Sequence, residues 1–291
     1  MSDEFPPFPE DLLVEAAMLG VAWSREWCRH VTPSGETCAG YHGPWQFLRL
    51  FDIAHAVTND AAFFRDAFGA AARRGARRVL VAGCADFAMA AAAQWAFRRE
   101  GVEPEIVAID ICETPVRLNR WYAERTGATL AAEAANVLDY RPERPFDVVC
   151  THSALGLFAP ETRPALAARW RELLVPGGLF ATVSRVAPGA PDLERFAPAQ
   201  ARDFRDNMLR AWAARRDRLR LPRESDMAAL IDAYIAQNAV YPVRSQAVLR
   251  ELMESGGFRV ELLAPRVPPA VRNLSGPTLI GGSTIVQLAA I

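Results

Sequence analysis

The sequence predicts an α/β fold: a doubly wound, mostly parallel sheet with a helical N-terminal cap and a helical insertion. Three observations carry that expectation. Between about residues 76 and 186, short apolar runs alternate with helical stretches, the rhythm of parallel strands joined by crossover helices. Residues 1–75 read as helical and rich in aromatic side chains, whereas residues 195–238 read as helical and polar. Composition is that of an ordinary globular protein: 51% of the 291 residues are hydrophobic, 23% are charged, and the formal net charge is -1. A disordered tail, a collagen-like repeat and a polybasic nucleic-acid wrapper are excluded. Every basic residue is arginine, so Schiff-base chemistry and a lysine-bearing phosphate loop are excluded too.

The elements follow in order. Leu12, Leu13, Ala16, Ala17, Leu19, Trp23 and Trp27 recur at helical spacing. Thr32-Pro33-Ser34-Gly35-Glu36 is a turn, and a second helix opens at Tyr41-His42-Gly43-Pro44-Trp45 and runs to about Val57. A third spans roughly Ala61 to Arg74. Val79–Ala82 is the first strand, followed by a helix over Asp86–Glu100. Glu105–Asp110 is the second strand, and its helix begins at Thr114-Pro115, where proline suits the first turn. Strands near Ala128–Ala132 and over Phe146–Thr151 come next, then a helix over Glu161–Leu174 and a strand over Leu179–Val183.

A Pro/Ala loop at 187–191 leads into the polar stretch, where residues 202–226 hold eight arginines against five acids. Interleaved acids favour a solvated, salt-bridged helix over a nucleic-acid contact. Two final strands, Phe258–Leu263 and Ser283–Leu288, have no helical pattern between them and must pair antiparallel or lie apart.

Ligands of open parallel sheets bind at the carboxyl ends of the strands. Three strand ends are therefore candidates: Gly83-Cys84-Ala85-Asp86-Phe87, Asp110-Ile111 and Thr151-His152-Ser153. A carboxylate at the tip of an apolar strand can accept both hydrogen bonds of a ribose diol. Asp110 has a competing role as a helix cap, and Gly83 as a simple tight turn. The glycine spacing is not G-x-G-x-x-G, which argues against a dinucleotide-dependent dehydrogenase.

Residues Arg78–Val186 resemble the class I S-adenosylmethionine-dependent methyltransferases of the small-molecule type. Val79–Cys84 looks like their first motif and Ile109-Asp110 like their acidic ribose-binding position. Asn136-Val137-Leu138 is similar to the adenine-contacting segment, and Phe146–Val149 and Leu173–Phe180 to the fourth- and fifth-strand motifs. The resemblance implies a Rossmann-like sheet of seven strands with an antiparallel final strand. It implies S-adenosylmethionine as cofactor, held by Gly83, Cys84, Ala85, Asp86, Asp110, Ile111, Asn136, Val137 and Thr151. It implies in-line methyl transfer to an N, S or O nucleophile of a small molecule, such as methionine (on sulfur) or a natural-product intermediate. The first motif departs from the family pattern, because Val81 stands where an acid is usual and Ala85 and Phe87 where glycines are usual. Asp86 is expected to take over the role of that acid toward the methionine ammonium. Phe87 must point away or stack.

A sulfonium methyl group arrives activated, so the protein mainly positions the acceptor and excludes water. A base is needed only for an acceptor that is protonated at neutral pH. His152 is the first candidate and His42 the second, with Tyr41 beside it. Tyr41, Trp45, Arg49, Ser153 and Arg185 are candidates to bind the acceptor, the arginines as clamps on a carboxylate. Each of these residues also has a plain packing or capping role open to it. Cys28, His30, Cys38 and His42 are chemically suited to zinc, but their spacing is unusual for it, and no metal is expected.

Two alternatives stand beside this reading. One is an RNA or protein methyltransferase whose 202–226 segment contacts phosphates, and the other is a non-catalytic cofactor-binding module. No nucleic-acid partner and no membrane span are expected, and the oligomeric state is open, a homodimer included. Met1–Pro6 lacks the layout of a signal peptide, and five scattered cysteines fit a reduced, cytoplasmic protein.

Overall fold

The computed structural model describes residue 5, residues 8–266 and residues 284–291. Its N-terminal part holds α1 (Glu10–Trp27), α2 (Ala39–Leu50) and α3 (Ala61–Arg73). The second helix stops seven residues short of the expected Val57. Asp52 turns the chain at φ 57°, and the N–H groups of Ile53 and Ala54 both return to the Leu48 carbonyl. The apolar residues beyond that point, Ile53, Ala54 and Ala56, are buried as a loop, and helical periodicity alone does not separate the two cases.

The central part runs β1 (Arg78–Ala82), α4 (Ala88–Arg99), β2 (Glu105–Asp110), α5 (Glu113–Thr126), β3 (Leu130–Ala134), β4 (Phe146–His152), α6 (Arg163–Glu172) and β5 (Leu174–Val186). The remainder adds β6 (Glu194–Arg195), α7 (Pro198–Ala213), α8 (Glu224–Gln237), β7 (Ala239–Val240), α9 (Gln246–Ser255), β8 (Val260–Arg266) and β9 (Thr284–Ala290). Seven strands form one sheet in the order β3-β2-β1-β4-β5-β9-β8, and β6 pairs with β7 apart from it. Strands β1 to β5 are mutually parallel, and β9 lies antiparallel between β5 and β8. The expected fold class is the observed one. The chain between the last two strands lies outside the described residues.

Alternation along β1 builds two cores. Val79 and Val81 face α3 and α4, among Phe64, Phe68 and Phe97, while Leu80 and Ala82 face Leu166, Trp170 and Leu249 of α6 and α9. A third core joins cap and insertion, with Phe47 and Leu48 of α2 packed among Phe204 and Met208 of α7 and Ile231 and Tyr234 of α8. Sequence order reverses between β1 and β4, which opens a crevice at their carboxyl ends.

Two differences from expectation have physical reasons. The 195–238 stretch is two helices: α7 ends at Ala213, and Pro222 stands in the connection just before α8 opens at Glu224. Helix α9 was not anticipated; Ser245 caps it by accepting from the Val248 N–H at 3.1 Å. As the interleaved acids suggest, the insertion is salt-bridged: of its eight arginines at 202–226, Arg205 pairs with Asp232, Arg215 with Asp52, Arg216 with Asp217, Arg218 with Glu10 and Arg223 with Asp226.

Candidate active site

A cavity of about 700 Å³ opens at the carboxyl ends of β1, β2 and β4 and is walled by residues of α2 and α8. All four histidines of the chain line it: His30, His42, His55 and His152. Its size and largely apolar wall suit a small-molecule site.

One half of the cavity follows the strand tips. Gly83 sits at φ +84°, and a Cβ built there would meet nothing nearer than the Thr151 hydroxyl at 4.0 Å. Backbone conformation, not crowding, is what demands glycine at this turn. Asp110 ends β2 and accepts from the Cys84 N–H at 3.0 Å and the Cys112 N–H at 2.8 Å, so it ties two loops together. A carboxylate offers about four acceptor positions, which leaves two for a diol. Burial pushes its carboxyl up to about 6, against the opposing pull of His42 and of those two N–H groups.

Ile111 next to it is 50% exposed on the cavity wall, an apolar surface with nothing on it. The Thr151 hydroxyl is fully buried and makes no hydrogen bond. Gly83, Asp110 and Ile111 fit the adenosyl cofactor that the sequence implies, a ribose acceptor and an apolar flank beside one glycine turn, whereas Thr151, also expected to hold it, is fully buried and does not line the cavity. Asn136 and Val137 are on the same wall, with the Asn136 side chain folded back onto Leu138 N–H and Asp139.

Two expectations fail at the first motif. Asp86 does not have a carboxylate available for an ammonium group. Its Oδ2 accepts from Trp45 Nε1 at 2.7 Å, Gln46 Nε2 at 2.8 Å and Arg49 Nη1 at 2.7 Å, and its Oδ1 accepts from the Ala88 N–H at 2.7 Å. Arg49, expected as a substrate clamp, is consumed in that buried ion pair and lies over the rings of Phe8 and Phe87. Phe87 does point away as expected, stacking on Tyr122 at 4.5 Å.

The family of methyltransferase domains matches this chain over residues 79–178, from the first motif to Gly178 in β5. Residues 79–178 are thus similar to a methyltransferase domain. No curated protein sequence matches the chain. Among solved structures it is similar to 1,6-didemethyltoxoflavin N1-methyltransferase of Burkholderia thailandensis, solved with 1,6-didemethyltoxoflavin and S-adenosylhomocysteine bound. The two are 19% identical over 84% of this chain and 85% of that one, with a TM-score of 0.50. It is also similar to the S-adenosylmethionine-dependent methyltransferase SibL in its apo form, 15% identical over 97% of this chain and 69% of that one, with a TM-score of 0.50. These likenesses show the class I methyltransferase fold. Gly83, Asp110 and Ile111, all on the cavity wall, are the residues that would hold S-adenosylmethionine.

Around residues 79–178, the N-terminal helices and α8 complete the second half of the cavity. His152, which ends β4, sets Nε2 3.0 Å from Asp60 Oδ2, and His55 Nε2 is 2.8 Å from the same oxygen. Burial opposes the Asp60 charge, but the bonds from His152 and His55 outweigh it and hold that carboxyl well below the usual range. Burial also lowers the His152 pKa, with Asp60 acting against it. Ser153 follows in a left-handed conformation at φ 56°, a strained turn at the cavity wall. Sequence reasoning missed His55 and Asp60. With only four histidines in the chain, each near a loop or strand end, their scarcity was the available signal.

Tyr41 stacks on Trp45 at 5.1 Å and on Tyr234 of α8 at 6.0 Å, forming an aromatic wall. Burial pushes its phenol well above the ordinary value, so Tyr41 is a neutral wall and not a base. Arg185 lines the cavity but pairs with Glu194, which neutralises the second expected clamp. His42 lines the cavity and is turned toward Cys28, with its Nδ1 3.4 Å from that sulfur. The four candidate ligands of the N-terminal segment are only partly assembled: Cys28, Cys38 and His42 converge, His30 does not join them, and Cys112 takes its place. Among the described residues no helix is long and apolar enough to cross a membrane.

Proposed function

We propose that the protein transfers a methyl group from S-adenosylmethionine to a ring nitrogen or hydroxyl of a small, uncharged aromatic compound. His152 removes the acceptor's proton. The observation that carries this reading is the His152–Asp60 hydrogen bond on the cavity wall. Through it Asp60 fixes the tautomer with the proton on Nε2 and leaves Nδ1, which makes no hydrogen bond among the described residues, as the accepting nitrogen. Bound S-adenosylmethionine supplies a methyl group already activated on a sulfonium sulfur. The chain's own residues bind and orient. Asp110 receives the ribose, while Tyr41, Trp45 and Tyr234, stacked on one another, wall the acceptor and keep water out.

An uncharged acceptor follows from the cations. Arg49 and Arg185 both face carboxylates of the chain itself, so neither supports an amino-acid carboxylate, and the methionine reading loses its basis. The 1,6-didemethyltoxoflavin N1-methyltransferase, similar to this chain in fold, is an N-methyltransferase of a small molecule. Ion pairing of five of the eight arginines at 202–226 likewise reduces the charge available to an RNA backbone. The test is a methyl-transfer assay over nitrogen heterocycles, phenols and amino acids, with His152→Ala alongside. Turnover restricted to the aromatic acceptors, lowered about 10²- to 10⁴-fold by the substitution, is the expected result. Turnover on amino acids, or a His152→Ala enzyme of undiminished rate, would overturn it.

A further inference from the structure

Cys28, Cys38, His42 and Cys112 are all buried, and their three sulfurs and one imidazole nitrogen lie within 4.8 Å of one another. Cys28 Sγ is 3.4 Å from His42 Nδ1 and 3.5 Å from Cys112 Sγ, and Cys38 Sγ is 3.7 Å from Cys112 Sγ. A tetrahedron around zinc, with bonds of ~2.3 Å to sulfur and ~2.0 Å to nitrogen, has edges of about 3.8 Å between sulfurs and about 3.5 Å between sulfur and nitrogen. We propose that these four side chains bind one zinc ion. Three thiolates and an imidazole are a donor set that selects zinc over magnesium or calcium.

The ligands come from separate points of the fold. Cys28 directly follows α1, Cys38 directly precedes α2, His42 lies in the first turns of α2, and Cys112 directly precedes α5. Cys112 is also two residues beyond Asp110, whose carboxylate accepts its N–H. Zinc therefore ties the helical cap to the edge of the cofactor crevice. Thr114 Oγ1 stands 3.3 Å from Cys28 Sγ, and the backbone of His30 hydrogen-bonds Cys38, the outer contacts that hold thiolate ligands in place. All four positions are filled by protein and all four residues are buried, so the site is structural and offers the acceptor no open coordination position. This proposal is independent of the acceptor assignment.

The test is the metal content of the full chain, purified without an affinity tag and with reductant present, before and after incubation with zinc chloride. About one zinc per chain is expected, falling to a small fraction in Cys112→Ser and unchanged in Cys150→Ser, whose thiol lies in the sheet core. Should Cys112→Ser fail to fold, the unsubstituted chain decides the matter after exchange with cobalt(II). Intense visible absorption with a sulfur-to-cobalt charge-transfer band supports the site. A folded chain that takes up no zinc, zinc content indifferent to Cys112→Ser, or a cobalt spectrum without sulfur ligation overturns the proposal.

Discussion

Arg49 and Asp86 meet at 2.7 Å with only 3% and 4% of their side chains exposed, so the turn after β1 is held by a cation delivered from the cap. A pair this deeply buried costs desolvation to form, and removing one partner strands the other charge. Arg49→Met should therefore destabilise the protein by about 3–5 kcal/mol in chemical denaturation. The double substitution Arg49→Met with Asp86→Asn should recover much of that loss, because no lone charge remains. A double mutant no better than the single one would show that packing over Phe8 and Phe87, and not charge, is what matters there.

Cofactor affinity should depend on the strand tips. Asp110→Ala removes the ribose acceptor and the tie between Cys84 and Cys112, and titration calorimetry with S-adenosylhomocysteine should show at least about tenfold weaker binding, or about 1.4 kcal/mol. Gly83→Ala meets no atom closer than 4.0 Å, so its cost is the left-handed backbone alone, about 1–2 kcal/mol. A larger loss in stability would mean that the turn is more crowded than these distances allow.

The pH profile reads out His152. Burial, partly offset by Asp60, places its pKa below the ordinary 6.5, so the neutral ring is the form present at pH 7. As pH falls through that lowered value the ring binds a proton and can no longer accept one from the acceptor. The predicted kcat/KM is level near neutrality and declines below pH 6.5. Asp60→Asn removes the group that raises the His152 pKa, and it should move this acid limb to still lower pH while reducing kcat. A limb that stays where it was would take His152 out of proton transfer.

The helical wall should control the acceptor more than the cofactor. A Cβ at Gly40 would stand 2.6 Å from the Ala233 carbonyl oxygen and 2.8 Å from Gln237 Cβ, so Gly40→Ala must push α2 from α8. Overpacking of this kind costs about 1–3 kcal/mol. Because Tyr41 and Tyr234 stack across that contact, KM for the acceptor should rise while S-adenosylhomocysteine affinity changes little. Equal losses in both would mean that the wall serves the whole cavity.

The sheet was legible along the chain because its code is local. Alternating apolar runs such as Val79–Ala82 and Phe146–Val149, each followed by an amphipathic stretch, leave few topologies open, and the acid at the tip of β2 marks the binding edge. The cap was harder to read, since Phe51–Ala56 carries apolar residues that suit a buried loop as well as a helix. The roles of charged and sulfur-bearing side chains were decided only in three dimensions. Nothing in the spacing of Arg49 and Asp86, of Asp60 and His152, or of Cys28 and Cys112 announces that they touch. Periodicity records which face of an element is buried. A buried charge, thiol or imidazole is given its role by whichever partner the tertiary fold brings within about 3–4 Å of it.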